Sequence, residues 1–146
     1  MTDVTIIDAI YTLLSGDATL QGYLGGSGRV RIGWVNQDST FPCVTIYDGS
    51  ESSDPRVGYA TSGQRDNSPS VQIDTWVDAS SEPPLPSTSR DLNVIANYVD
   101  ALLMKTGIAG TWGWSRNAYP EQQERSVQTT LYHKTMAYQF RYLKTD

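Results

Sequence analysis

The chain reads as an α+β domain: a largely antiparallel sheet of about four to five strands, with two main helices packed on one face. Three observations predict this. Apolar residues recur at helical spacing in two separate segments, Val4 to Leu14 and Leu92 to Leu103. Alternating patterns mark Cys43 to Asp48, Val71 to Val77 and Met136 to Leu143 as strands. The resulting order of helix, two strands, helix and closing strand suits a single layer of helices on a sheet.

In the opening helix, Val4, Ile7, Ile10, Tyr11 and Leu14 share a face, with Thr2 or Asp3 available to cap it and Gly16 to stop it. Asp17 can cap a shorter helix carrying Leu20, Tyr23 and Leu24, which Gly25, Gly26 and Gly28 end. Val30, Ile32 and Trp34 then share one strand face by period two. Phe41-Pro42 leads into a second strand, in which Val44 and Ile46 oppose Cys43, Thr45 and Tyr47. Gly49 to Ser70 is rich in Ser, Asp and Gly and reads as a mobile loop, too poor in apolar residues to offset the entropy of ordering.

Beyond it, Val71, Ile73, Thr75 and Val77 face one way, and Gln72, Asp74, Trp76 and Asp78 face the other. A proline-rich linker spans residues 80–89, and Thr88 or Ser89 can cap the next helix. That helix has the clearest stripe in the chain: Leu92, Ile95, Ala96, Val99, Leu102 and Leu103, ended by Gly107. Asn93 falls on its opposite face. Trp112 and Trp114 alternate in a further strand, a polar turn follows at Tyr119-Pro120-Glu121, and Met136, Tyr138, Phe140 and Tyr142 alternate in the last strand.

At 146 residues the chain fits one domain, residues 1–146, with no internal repeat. Its apolar runs are too short to span a bilayer, so no membrane partner is expected. Nor does its start carry the pattern of a signal peptide. The single Cys43 precludes an internal disulfide. A net charge of −5 without clustered basic residues argues against nucleic-acid affinity, which depends on releasing counterions from phosphates.

The residues that could carry chemistry are few. Asp48, Ser50, Ser52 and Asp54 place oxygens at alternate positions, as calcium loops do. The glycine falls at the wrong position, however, and Tyr59 stands where the closing Glu belongs. Gly25-Gly26-Ser27-Gly28 lacks the Lys and Ser/Thr of a phosphate loop and precedes a strand rather than a helix. His133 and Cys43 are the minimum for a Cys–His pair, but Cys43 opens an apolar strand, where a buried thiol is the usual outcome. Pro83 and Pro86 satisfy a minimal PxxP pattern, but a strand-to-helix connector accounts for these prolines better. No catalytic residue, cofactor site or metal site is assigned. The candidate partner contacts are Arg56, Arg65, Tyr59 and Trp76, since guanidinium forks and aromatic rings favour assembly interfaces.

The series FPCVTIYDGSES, polar loop, SVQIDTWVDASSE, SRDLNVIANYVDALL and YHKTMAYQFRYL resembles the tail-completion (tail-terminator) proteins of long-tailed phages. Related tail-joining proteins occur in archaeal tailed viruses and gene-transfer agents. The opening LLSGDATLQGYLGGSGRVRIGWV also fits, because the family starts with a short-loop helix pair leading into a strand. The likeness covers nearly the whole chain and lies in the order of elements; no single residue is diagnostic. The chain departs from the family in its longer proline-rich linker and in the segment from Tyr119 to Tyr132.

The resemblance implies a virion structural protein of the tail or neck, assembled in the host cytoplasm and needing no cofactor. It would form a homo-oligomer, a hexameric ring at the head-proximal end of the tail, which stops tube growth and joins tail to head. Its partners would be the tail tube protein and head–tail connector proteins, with DNA passing through the lumen without specific binding. The alternatives are a head-side connector or stopper ring and a small-ligand enzyme on a ferredoxin-like sheet, since such sheets host many functions.

Overall fold

A computed structural model describes residues 4–33, 41–54, 64–78, 88–120, 122–125 and 130–145. The chain opens with α1 (Val4–Ser15) and α2 (Ala18–Leu24), followed by β1 (Val30–Ile32), β2 (Cys43–Asp54) and β3 (Gln64–Asp78). It continues with α3 (Thr88–Thr106), β4 (Thr111–Ala118), β5 (Gln122–Arg125) and β6 (Thr130–Thr145). The fold is α+β, with three helices against a mostly antiparallel sheet. Strand order is β1-β2-β3-β6-β4, and β5 pairs with β6 in continuation of β4. Among the described strands, only β1 joins its neighbour, β2, in parallel.

Local chemistry explains the helix boundaries. Asp17 is the N-cap of α2, and its Oδ1 accepts from the Leu20 amide at 2.8 Å. The same oxygen accepts from the Tyr98 hydroxyl of α3 at 2.8 Å, so one carboxylate caps one helix and ties it to another. Gly25 ends α2 in the left-handed region, with Gly26 N–H reaching back to the Gln21 carbonyl at 2.9 Å. Arg29 then fastens this turn, donating to the carbonyls of Leu24 at 2.6 Å and Phe41 at 3.0 Å. Gly107 closes α3 with its N–H on the Leu103 carbonyl.

The core lies between the helices and one sheet face. Ile6, Ile7, Ile10 and Leu14 of α1 meet Val30, Val44 and Ile46, while Ile95, Ala96, Val99 and Leu103 of α3 join Val71, Ile73, Met136, Tyr138 and Phe140 in the same cluster. Ile7, Ile10 and Leu14 of the α1 stripe and most of the α3 stripe are buried as their spacing requires, but Tyr11 is exposed and Ile6 takes a place in the core instead. Asn93 departs from its expected solvent face: Lys134, which shares the core side of β6 with Met136, donates to it at 2.9 Å. Ile32 is 51% exposed although Val30 is buried, because β1 ends there at the sheet edge. Trp34 lies outside the described residues.

Three polar stretches behave differently from expectation. Much of 49–70 is strand: β2 continues to Asp54 and β3 begins at Gln64, paired from Glu51↔Pro69 to Asp54↔Asp66. Backbone ladder bonds, with β3 also paired to β6, hold this sequence extended without an apolar side-chain pattern. A bulge between Asp48 and Glu51 precedes the extension. Gly49 belongs there because a Cβ would meet the Ser70 carbonyl oxygen at 2.6 Å. The remainder of the expected loop, residues 55–63, is outside the described residues, as are 79–87 of the proline-rich linker. Thr88 and Ser89 are not caps but the first residues of α3. Tyr119-Pro120 makes no chain reversal, since β4 and β5 both run antiparallel to β6 along one edge.

Candidate functional site

Four residues were expected to contact partners, and two of them lie among the described residues. Arg56 and Tyr59 lie outside the described residues. Arg65 is on β3, directly opposite Lys144 of β6. Trp76 is 0% exposed, and this corrects its assignment to a partner surface. Its indole Nε1 donates to Thr45 Oγ1 at 2.9 Å, and its ring stacks on His133 with centroids 4.3 Å apart and planes 14° from parallel. Alternation with Asp74 made this face read as solvated, yet Asp74 is itself fully buried.

These residues form a polar patch on the sheet face away from the helices. Cys43, Trp76 and His133 occupy one row across β2, β3 and β6, and Thr45, Asp74 and Thr135 occupy a row two residues on. Thr45 accepts from Trp76 and donates to the Tyr47 hydroxyl at 2.9 Å. Gln72 Nε2 donates to Asp74 Oδ1 at 3.1 Å, while Asp74 Oδ2 lies 3.4 Å from His133 Nδ1. Burial raises the Asp74 carboxyl above its ordinary range, against hydrogen bonds from Gln72 and Thr135 and the nearby imidazole, which pull it down. Burial likewise lifts the Tyr47 phenol to about 12. It lifts the Cys43 thiol to about 12 despite Arg31 and Arg29 nearby.

Nucleophilic chemistry does not follow from this arrangement. Trp76 stands between Cys43 and His133 in the ladder, so the two are separated by two strand spacings, about 10 Å. An activated Cys–His pair needs contact near 3 Å and a lowered thiol pKa. Asp74 and His133 are in reach of each other, but both are buried, away from any substrate in solution. The backbone from Asp48 to Asp54 is extended β2 rather than a loop that could ring a cation. Among the described residues, no three His, Cys, Asp or Glu side chains are grouped to hold a metal. No described helix is long and apolar enough to cross a membrane.

The outward features are instead edges and aromatic rings. β4 forms an outer edge of the sheet, with Trp112 45% exposed on it and Tyr119 46% exposed just beyond its end. A bulge between Trp112 and Ser115, with Gly113 at φ 66°, breaks the alternation expected of the two tryptophans. Trp112 turns outward, while Trp114 stacks on Phe140 at 4.4 Å and joins the core margin. Gly113 between the tryptophans was the sequence sign that could have separated their roles.

No protein-family model and no curated protein sequence matches the chain. Among solved structures it is similar to a chain from the virion of a native gene transfer agent particle, at 16% identity and a TM-score of 0.59. The similarity covers 94% of this chain and 93% of that one. The fold is shared with a virion chain. At this identity the likeness speaks to architecture, and its near-complete coverage means that the helical layer and the sheet are matched together.

Proposed function

We propose that this chain is a virion structural protein, a tail terminator that forms a hexameric ring at the head-proximal end of the tail. There it stops tube growth and joins tail to head. The observation that carries this reading is the end-to-end fold similarity to a chain of a gene transfer agent virion. The order of elements seen in the tail-completion family points the same way. Burial of Cys43, Asp74 and His133 supports a mechanical role over the enzyme reading.

The ring would contact the tail tube protein on one side and head–tail connector proteins on the other. Six copies at −5 each would give the ring a strongly negative field, which lets DNA slide through a lumen without being held. The test is electron microscopy of particles produced with and without the protein. Loss should give unjoined heads and overlong or unfinished tails, and purified protein should show rings by negative stain. Normal joined particles formed without it would overturn the proposal.

A further inference from the structure

We propose that neighbouring copies of this chain join head to tail through their sheet edges, the outer edge of β4 in one copy pairing with the outer edge of β1 in the next. This rests on the ring reading above and names the contact that would build the ring. The two strands lie at opposite ends of the strand order. Tyr119 N–H donates to the carbonyl of Thr135, its direct opposite in the β4–β6 register, so the two form a hydrogen-bonded pair. Counting back by twos, Asn117 and Ser115 also bond to β6, and the N–H and C=O groups of Arg116 and Ala118 point outward. On β1, the Arg29 carbonyl accepts from Val44 and Gly33 N–H donates to the Ile46 carbonyl. Alternate residues therefore bond to β2, and the backbone groups of Val30 and Ile32 point outward.

Both edges reach solvent: Ser115 to Ala118 are exposed throughout, and Ile32 is 51% exposed. Natural sheets guard such an edge with Lys, Pro, stray charges or a bulge. From Ser115 to Ala118 there is no Lys, Pro or carboxylate, and the bulge of β4 lies before this stretch. The Arg116 guanidinium is held by Asp100 of α3 at 2.7 Å. This edge is open to pairing.

The β4 and β1 edges match in strand sense, backbone phase and side-chain face. β1 runs with β2 and β6, and β4 runs against them, so copies set side by side in one orientation bring β4 antiparallel to β1. Arg116 then falls opposite Ile32 and Ala118 opposite Val30, each pair exchanging both N–H···O bonds. Val30 points into the core and Ile32 shares its face; Arg116 and Ala118, opposite Tyr138 and Met136, lie on that same helix side. The joined sheet thus keeps the helices of both copies on one face, and exposed Ile32 packs beside Ala118 and the Arg116 stem. A two-fold pairing of β4 with its own copy would leave the β1 edge open in both. The head-to-tail contact fills both edges of every copy and, repeated with a rotation that closes, makes a ring. The occupant of each edge is a second copy of this chain.

The pairing sets Arg31 of one copy directly opposite Asn117 of the next, a non-hydrogen-bonded position with Cα atoms about 4.5 Å apart and within disulfide reach. Arg31→Cys with Asn117→Cys in one chain is oxidised with diamide where negative stain shows rings. A denaturing gel without reductant should show a ladder of cross-linked species up to the closed ring, and neither single variant should give one. Dimers from Asn117→Cys alone, with nothing larger from the double variant, would mean two-fold β4 pairing and overturn the proposal. Rings of the double variant that give no ladder would also overturn it and leave the ring reading standing. Independently, Ala118→Pro removes one outward N–H without touching the β6 ladder, so the protomer should stay folded by circular dichroism. It should associate at least ~10-fold more weakly than wild type by light scattering, whereas Ala118→Thr, which keeps the N–H, should match wild type. Folded Ala118→Pro protein that associates like wild type would exclude the edge contact. Wild-type protein that forms no ring in solution or in particles would overturn both proposals.

Discussion

Asp74 and Cys43 favour their neutral forms because burial takes them out of water. For Asp74 the sign is specific: its folded pKa lies above its unfolded value near 4. Between those two values the native state holds more proton than the unfolded chain, so stability falls as pH rises through that window. Asp74→Asn should remove this contribution and flatten the profile, as read by urea unfolding from about pH 4 to 8. A variant with the wild-type slope would place the pH dependence elsewhere. For Cys43, a thiol near 12 leaves almost no thiolate at pH 8. Alkylation should be slow in the native protein and fast in denaturant, and equal rates in the two states would contradict its burial.

At the scale of elements, α3 carries the clearest stability prediction. Ile95 and Val99 are almost completely buried against β3 and β6, so truncation of either to Ala should cost about 1–4 kcal/mol through lost burial and a cavity. Asn97→Ala, on the exposed side of the same helix, should change stability by less than about 0.5 kcal/mol. Comparable losses at all three positions in denaturant melts would mean that the helix is docked by another face. Asn93 is unsuitable as the control because it receives Lys134. Elements held by side-chain periodicity were legible from sequence: α1, α3, the start of β2, the second half of β3 and the alternation in β6. The Asp17 cap and the Gly25 stop were legible for the same local reason. What escaped is held by backbone pairing or turned by single residues. The polar ends of β2 and β3 have no apolar pattern to read, Gly113 shifts the register of β4, and the Tyr119-Pro120 break separates β4 from β5. Burial of Trp76 and Asp74 was invisible because alternation identifies two faces without saying whether the second is covered.

For the whole molecule, the polar patch lies inside the fold, so substitutions there should act on folding. Changes at His133 act on a ring stacked with Trp76 inside the sheet. Cys43→Ala, judged by electron microscopy of particles, should leave joining intact once the protein is folded. Particles lacking joined tails despite folded Cys43→Ala protein would revive a chemical role for the thiol. The sheet order has a consequence of another kind, during synthesis. β6 lies between β3 and β4, yet it is translated after both. At about 5–20 residues per second, several seconds pass between completion of β3 and emergence of β6 from the ribosome. Throughout that interval β3 has one edge unfilled, and β4 has no strand to pair with. The nascent chain should therefore stay protease-sensitive until residues 130–145 have left the exit tunnel, and then become resistant in a single step. Stalled chains that gain full resistance while β6 is still inside the tunnel would contradict this order of folding.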